Sequence, residues 1–218
     1  VHPGHGNYEH TLLNALAFYF QEQSKVRHTQ ALDINDPSIG LVHRIDKDTS
    51  GLLLIAKTPE AKANLARQFF DHTTERTYNA LVWGTFVEDS GTIIGALARD
   101  NRDRTIYKVW DLQENPNAKE AVTHWRVLER YPYVTLVECR LETGRTHQIR
   151  VHMASLSHPL LGDSIYGQAG FLGFDRAALH SFEITCQLPG HQDLAVFSSE
   201  MPIDFQKLVT HSSYIPYL

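Results

Sequence analysis

The stretch Leu41-Val42-His43-Arg44-Ile45-Asp46-Lys47-Asp48-Thr49-Ser50-Gly51-Leu52-Leu53-Leu54-Ile55-Ala56-Lys57 sets an acidic turn between two apolar runs. Leu41 to His43 and Leu52 to Ala56 read as short strands. The segment Asp46-Lys47-Asp48-Thr49-Ser50-Gly51 reads as the loop joining them, because Asp, Thr, Ser and Gly all favour turns. A sheet beneath such a loop would hold Asp46 toward a cleft, which suits a reactive group. The same residue types also fit a plain turn. Arg44 stands two positions before Asp46 and so shares its side of an extended segment.

Working outward, Thr11 to Gln23 carries Leu12, Leu13, Leu16, Ala17 and Phe20 at helical spacing, which predicts an amphipathic helix. A second helix is expected after Lys57, with Thr58 as cap, Pro59 at its first position, Glu60 in its first turn and an apolar stripe of Ala61, Leu65, Ala66 and Phe69. Thr77 to Thr85, Val122 to Leu128, Thr135 to Leu141 and Phe182 to Cys186 read as strands, rich in β-branched and aromatic residues. Thr143-Gly144 marks a turn. Thr146 is then expected to cap a helix that buries Ile149, His152, Met153 and Leu156, leaving Thr146, Arg150 and Ala154 on a face from which Arg150 points into a cleft. Strand runs broken by a few helices predict an α+β fold with a mixed, mainly antiparallel sheet and flanking helices. With no repeat, low-complexity tract or linker, a single domain is expected.

At 218 residues, 42% hydrophobic and 10% aromatic, the chain can bury a substantial core, which excludes a disordered tail. No apolar run approaches a membrane span and no secretory leader is evident, so a soluble, cytoplasmic protein is expected. Cys139 and Cys186 match neither a disulfide framework nor a metal or redox motif and are expected to be buried small hydrophobes. The formal net charge of -5 counts against binding nucleic acid by bulk charge. The cations are nevertheless clustered, at Arg99, Arg102, Arg104 and Lys108, at Arg140, Arg145 and Arg150, and around Asp46. A local basic cleft in an otherwise acidic protein fits that pattern. No metal is expected, since His147, His152 and His158 lack ligand spacing among the 13 histidines. Thr143-Gly144-Arg145 is too short for a phosphate-binding P-loop. Ser50 is not expected to be a nucleophile, because no His–Asp partnership with it is evident.

The string around Asp46 closely resembles the H-R-[LI]-D-x-x-[TS]-[ST]-G signature of RluA-type RNA pseudouridine synthases. Three further stretches resemble that family in the same order. They are His2-Pro3-Gly4 through Gly6-Asn7 with Thr11 to Leu16, then Arg76-Thr77-Tyr78-Asn79-Ala80-Leu81-Val82-Trp83-Gly84, and finally Leu141 to His152 continuing through His158-Pro159-Leu160-Leu161-Gly162-Asp163 to Tyr166-Gly167. The opening segment is most like the large-subunit rRNA members, the D group.

This resemblance implies a pseudouridine synthase catalytic fold over residues 1–218 with a central RNA-binding cleft, without the preceding strand and S4-like domain usual in the family. It implies isomerisation of uridine to pseudouridine in RNA, by base flipping and without a cofactor. Asp46 would be the catalytic carboxylate, Tyr78 would pack on the target base, and Arg150 would pair with the aspartate. Arg44 would fill the space of the flipped nucleotide, and His43, Thr49, Arg76, Arg145, His147 and Gln148 would contact substrate or RNA. The expected partner is RNA, with rRNA favoured over tRNA, and a monomer is expected. Two other classes compete. One is a catalytically inactive RNA-binding module of the same fold. The other is a hydrolase pairing Asp46 with Asp48 or Asp163, which would release free uracil.

Overall fold

The computed structural model describes residues 9–27, 40–169 and 174–212; the His2–Asn7 segment of the resemblance lies outside them. The chain divides into two units, one comprising Val1–Lys47, Leu53–Thr74 and Thr185–Phe197, the other Asp48–Leu52, Glu75–Ile184 and Ser198–Leu218.

In the first unit, helix α1 (Leu12–Arg27) is longer than expected at its C-terminal end. Phe20 is its buried anchor, with Leu13, Leu16, Ala17 and Ile55 packed around it, the i, i+3, i+4, i+7 stripe of an amphipathic helix. Leu12, expected in the stripe, is exposed. Helix α2 (Pro59–Phe70) begins as its sequence predicts, with the Thr58 hydroxyl accepting from the Ala61 amide, Pro59 in the first turn and Glu60 facing the positive helix end. Leu65 and Ala61 pack with Val42, Leu54, Ala56, Cys186 and Leu188, whereas Ala66 is exposed.

The predicted strands Leu41–His43 and Leu52–Ala56 are reduced to one antiparallel bridge, Leu41 to Ile55. The reason lies in the backbone partners. The Ala56 amide donates to the Gly40 carbonyl, but the Leu54 amide donates to His43 Nε2 at 2.8 Å. A side chain thus takes the place of a ladder bond. The regular pairing falls instead inside the expected loop, where β1 (Ser50–Gly51) runs parallel to β7 (Leu179–Gln187) with Ser50 opposite His180.

The second unit is built on the sheet. Its remaining strands are β2 (Glu75–Trp83), β3 (Ser90–Arg99), β4 (Tyr107–Trp110), β5 (Lys119–Arg130) and β6 (Val134–Leu141). Among the described residues the order is β1-β7-β2-β6-β5-β3-β4, with β8 (Leu194–Ser198) pairing β7. The pairs β2/β6, β6/β5, β5/β3 and β3/β4 are antiparallel and β1/β7 is parallel. The expected α+β class, with a mixed and mainly antiparallel sheet, is borne out. Leu81, Val134 and Leu136 from β2 and β6 pack with Leu161, Phe174 and the helix α4 (Ile203–Ser212) residues Phe205 and Leu208. Burying these side chains contributes roughly 1.5–3 kcal/mol each for the larger ones.

Helix α3 (Gln148–Ser155) is capped by His147, not Thr146. His147 sits at φ 55° with no side-chain cap bond, and the Gln148 amide donates to the Arg145 carbonyl. The turn is therefore tighter than a Thr146 cap allows. Gln148 to Met153 are all buried, while Leu156, expected in the stripe, is exposed.

Candidate active site

Two of the predicted residues stand close to Asp46 in the chain and in the same unit. His43 is half-buried, its ring stacked on Phe69 with centroids 4.5 Å apart and planes 13° apart. Because its Nε2 accepts the Leu54 amide, the proton of the neutral ring resides on Nδ1. His43 thereby ties the strand before the turn to the chain after it. Asp46 is half-buried and Arg44 exposed.

The turn then passes into the second unit. Asp48 adopts φ 68°, and its carbonyl accepts from Arg176 Nη1 at 3.1 Å. The same guanidinium holds Asp204 through Nε and Nη2. Thr49 places a buried hydroxyl here. Gly51 has φ +97°, and a Cβ at this position would lie 2.1 Å from the Ser181 carbonyl oxygen, so only glycine lets β1 approach β7 this closely.

Ser50 departs from expectation: its hydroxyl lies 3.0 Å from His180 Nδ1. His180 Nε2 is 2.9 Å from the Ser199 carbonyl, which can only accept, so Nε2 carries the proton and Nδ1 accepts from Ser50. The serine does have a histidine partner, but the far side of that ring meets a backbone carbonyl where a triad needs a carboxylate. The pair fastens the turn to the sheet.

The second unit gathers the other candidates. Arg76 and Tyr78 lie two apart on β2 and therefore on one face; both are buried. Arg76 Nη2 donates to the Glu142 carbonyl at 3.2 Å, and a Cβ at Gly144 would sit 2.6 Å from Arg76 Nη1, so Gly144 makes room for this guanidinium. Burial lowers the Arg76 pKa, Tyr78 opposes that shift, and Arg145 adds to it. These three side chains therefore share one electrostatic neighbourhood.

Arg150 is 7% exposed. Rather than opening from a free helix face, it is bound at both Nε and Nη2 by Asp163, at 2.7 and 2.9 Å, a bidentate geometry that fixes the guanidinium plane. Burial pushes the Asp163 carboxyl upward. The Arg150 hydrogen bonds and charge, with the Ile165 and Tyr166 amides, outweigh that and hold it below the usual carboxylate range. The Arg150 guanidinium also lies 5.1 Å from the Tyr166 ring centroid. The Tyr166 hydroxyl in turn accepts from the Tyr107 amide and contacts His147 Nδ1, both at 2.8 Å.

Gln148, expected at the RNA, is 3% exposed. Its Oε1 accepts from Thr143 Oγ1 and the Arg145 amide, and its Nε2 donates to the Val122 carbonyl and Thr123 Oγ1. Both acceptor sites and both donors are filled by the protein, so Gln148 shapes the 143–146 turn that presents Arg145. Arg145 is half-buried and its Nε donates to the Glu120 carbonyl. Asp163 as the anchor of Arg150 was not recognised from sequence. A buried arginine requires a carboxylate, but no local pattern in the sequence picks out Asp163 as the one that meets it. The hydrolase reading suffers from the same finding, because a carboxylate chelated by a guanidinium is held ionised and is a poor general acid.

Cys139 and Cys186 are free and buried, as expected. Among the described residues no group of three or more His, Cys, Asp or Glu could hold a metal ion, and no helix is long and apolar enough to cross a membrane.

Comparisons with known proteins give the class to which this α+β chain belongs. Residues 5–155 match the family model for RNA pseudouridylate synthase, and the chain belongs to that family. It is 40% identical to the ribosomal large subunit pseudouridine synthase D of Nitrosomonas europaea, over 100% of this chain and 61% of that protein. It is 42% identical to the protein of the same name from Zymomonas mobilis, over 95% of this chain and 65% of that one. An uncharacterized RNA pseudouridine synthase of Bacillus subtilis is 41% identical, over 96% and 65%. The chain thus spans somewhat under two thirds of the length of these relatives. Among solved structures, human RNA pseudouridylate synthase domain containing 1 matches with a TM-score of 0.65 at 26% identity, covering 90% of this chain and 85% of that one. The human domain containing 4 shares the fold, with a TM-score of 0.72 at 20% identity over 94% and 84%.

Proposed function

We propose that the protein converts specific uridines to pseudouridine in structured RNA, with large-subunit rRNA as the favoured substrate over tRNA. The observation that carries this reading is the family match over residues 5–155, which includes the Asp46 turn, Tyr78 and Arg150. The names of the relatives in Nitrosomonas and Zymomonas support rRNA as the RNA class.

In the proposed reaction the N1–C1′ bond breaks, the uracil turns within the site, C5 bonds to C1′, the proton on C5 leaves to solvent and N1 takes one up. Electrons balance without an oxidant or reductant, so no cofactor is called for. Asp46 is the carboxylate that acts on the nucleotide. Tyr78 offers a flat face to the extruded base, and such stacking is worth about 1–3 kcal/mol per base, comparable to the few kcal/mol that flipping costs. Arg150, its plane fixed by Asp163, is the guanidinium that acts with the catalytic carboxylate. Arg44 takes the place vacated by the base, and Arg76, Arg145 and His147 contact the substrate RNA. The protein acts as a monomer in the cytoplasm.

Pseudouridine maps of rRNA and tRNA from cells with and without the protein test this reading. Loss of one or a few pseudouridines from large-subunit rRNA is expected, with the tRNA map intact; unchanged maps in both would refute it.

A further inference from the structure

The second unit contains a cavity of about 600 Å³ walled by the end of β3, the start of β4, the loop before β5 and the 144–146 turn. Four cations line it, Arg99, Arg104, Lys119 and Arg145, and no carboxylate does. Four like charges around one space repel each other, so the arrangement calls for an anion. Two of the four are held in place by the protein. Arg99 Nη1 donates to the Arg104 carbonyl and its guanidinium lies 5.3 Å from the Tyr107 ring centroid; Arg145 Nε donates to the Glu120 carbonyl at 3.0 Å. The acids in the β3–β4 turn are spent elsewhere. Asp100 accepts the Arg102 and Asp103 amides and pairs with Lys108, and Asp103 is bound to Thr105 through its amide and hydroxyl.

We propose that this cavity is a second RNA site, holding one unpaired nucleotide that flanks the target uridine together with its adjoining phosphates. The space is larger than a phosphate needs. Tyr107 and Asn117 also line it, offering a ring for stacking and an amide for a base edge, the combination by which unpaired RNA is read. The 144–146 turn leads directly into α3, the helix that carries Arg150. This inference rests on the RNA-modifying function proposed above.

The test uses the full chain with Arg104→Ala and Lys119→Ala combined, both at exposed positions, and Lys207→Ala as a surface control. Dissociation constants for a fluorescent rRNA fragment are measured across a salt series, alongside KM from tritium release on RNA tritiated at uridine C5. The double variant is expected to weaken binding and raise KM about tenfold, and to flatten the dependence of log K on log salt by about 0.7 for each phosphate lost. A diuridine dinucleotide is expected to compete for wild type far better than inorganic phosphate. The proposal is overturned if affinity and salt slope are unchanged, if Lys207→Ala has the same effect, or if phosphate competes as well as the dinucleotide. Such a failure with wild-type tritium release intact sinks this site alone, whereas no release from wild type sinks the function on which it rests.

Discussion

A buried guanidinium such as Arg150 is tolerated only while a carboxylate faces it, and Asp163 meets it with both oxygens. Breaking such a pair from one side typically costs about 3–5 kcal/mol, while replacing both partners by apolar side chains of similar volume is often near neutral. Asp163→Asn is therefore expected to lower the free energy of urea unfolding by that amount, and Arg150→Met with Asp163→Leu to recover most of it. Simple additivity of the two single losses would contradict the coupling. At Tyr78, Tyr78→Phe keeps the stacking face and should retain measurable turnover, whereas Tyr78→Leu should reduce kcat/KM by tenfold or more; equal losses would show that the hydroxyl, not the ring, matters. The roles proposed for Asp46 and Tyr78 rest on the sequence, because each lies in a long, ordered motif. The bond from Arg150 to Asp163 was not, because it crosses a loop whose path no local pattern specifies. Gln148 shows the complementary limit, as the resemblance implied contact with RNA and the fold uses the hydrogen-bonding capacity of its amide internally.

Among the elements, helix α2 was read correctly to its first residue, since Thr58, Pro59 and Glu60 carry start signals that act locally. Strands β2, β5, β6 and β7 were likewise visible in their β-branched and aromatic content. Strand β3 was missed because its glycines hide the pattern. A Cβ at Gly91 would meet the Trp125 ring at 2.8 Å and one at Gly95 would meet Val109 at 3.0 Å, so these residues are chosen by cross-strand neighbours rather than by strand propensity. The turn that carries Asp46 was misread at the same scale, because the His43 ring takes a bond that backbone pairing would otherwise make and the regular pairing falls at Ser50–Gly51 instead. Gly51→Ala tests that geometry. A methyl aimed at the Ser181 backbone must displace β1 from β7, so the Leu52 amide, which donates to the Ser181 carbonyl at 3.0 Å, should lose hydrogen-exchange protection. Wild-type protection in this variant would contradict the account.

For the molecule as a whole, net charge was a poor guide, since the -5 total hides four cations around one cavity. Acid sensitivity is expected at the scale of the whole fold, with one buried group contributing to it. Burial lowers the His152 pKa from 6.5 to about 4. Between those values the unfolded chain binds the extra proton, so stability is full above pH 6.5 and falls as the pH drops toward 4. The loss from this group reaches about 3 kcal/mol. His152→Gln should flatten the unfolding free energy across that window, and an unchanged slope would assign the acid sensitivity to other groups.

The central claim is that one carboxylate, Asp46, performs the chemistry on a base that the rest of the protein extracts and holds. It is tested most directly by comparing wild type with Asp46→Ala on rRNA tritiated at uridine C5, measuring tritium release and RNA affinity in the same preparation. Wild type is predicted to release tritium with the base retained in the RNA. Asp46→Ala is predicted to release none while binding RNA within about threefold of wild type, a difference under 1 kcal/mol. Release near the wild-type rate from Asp46→Ala would contradict the account.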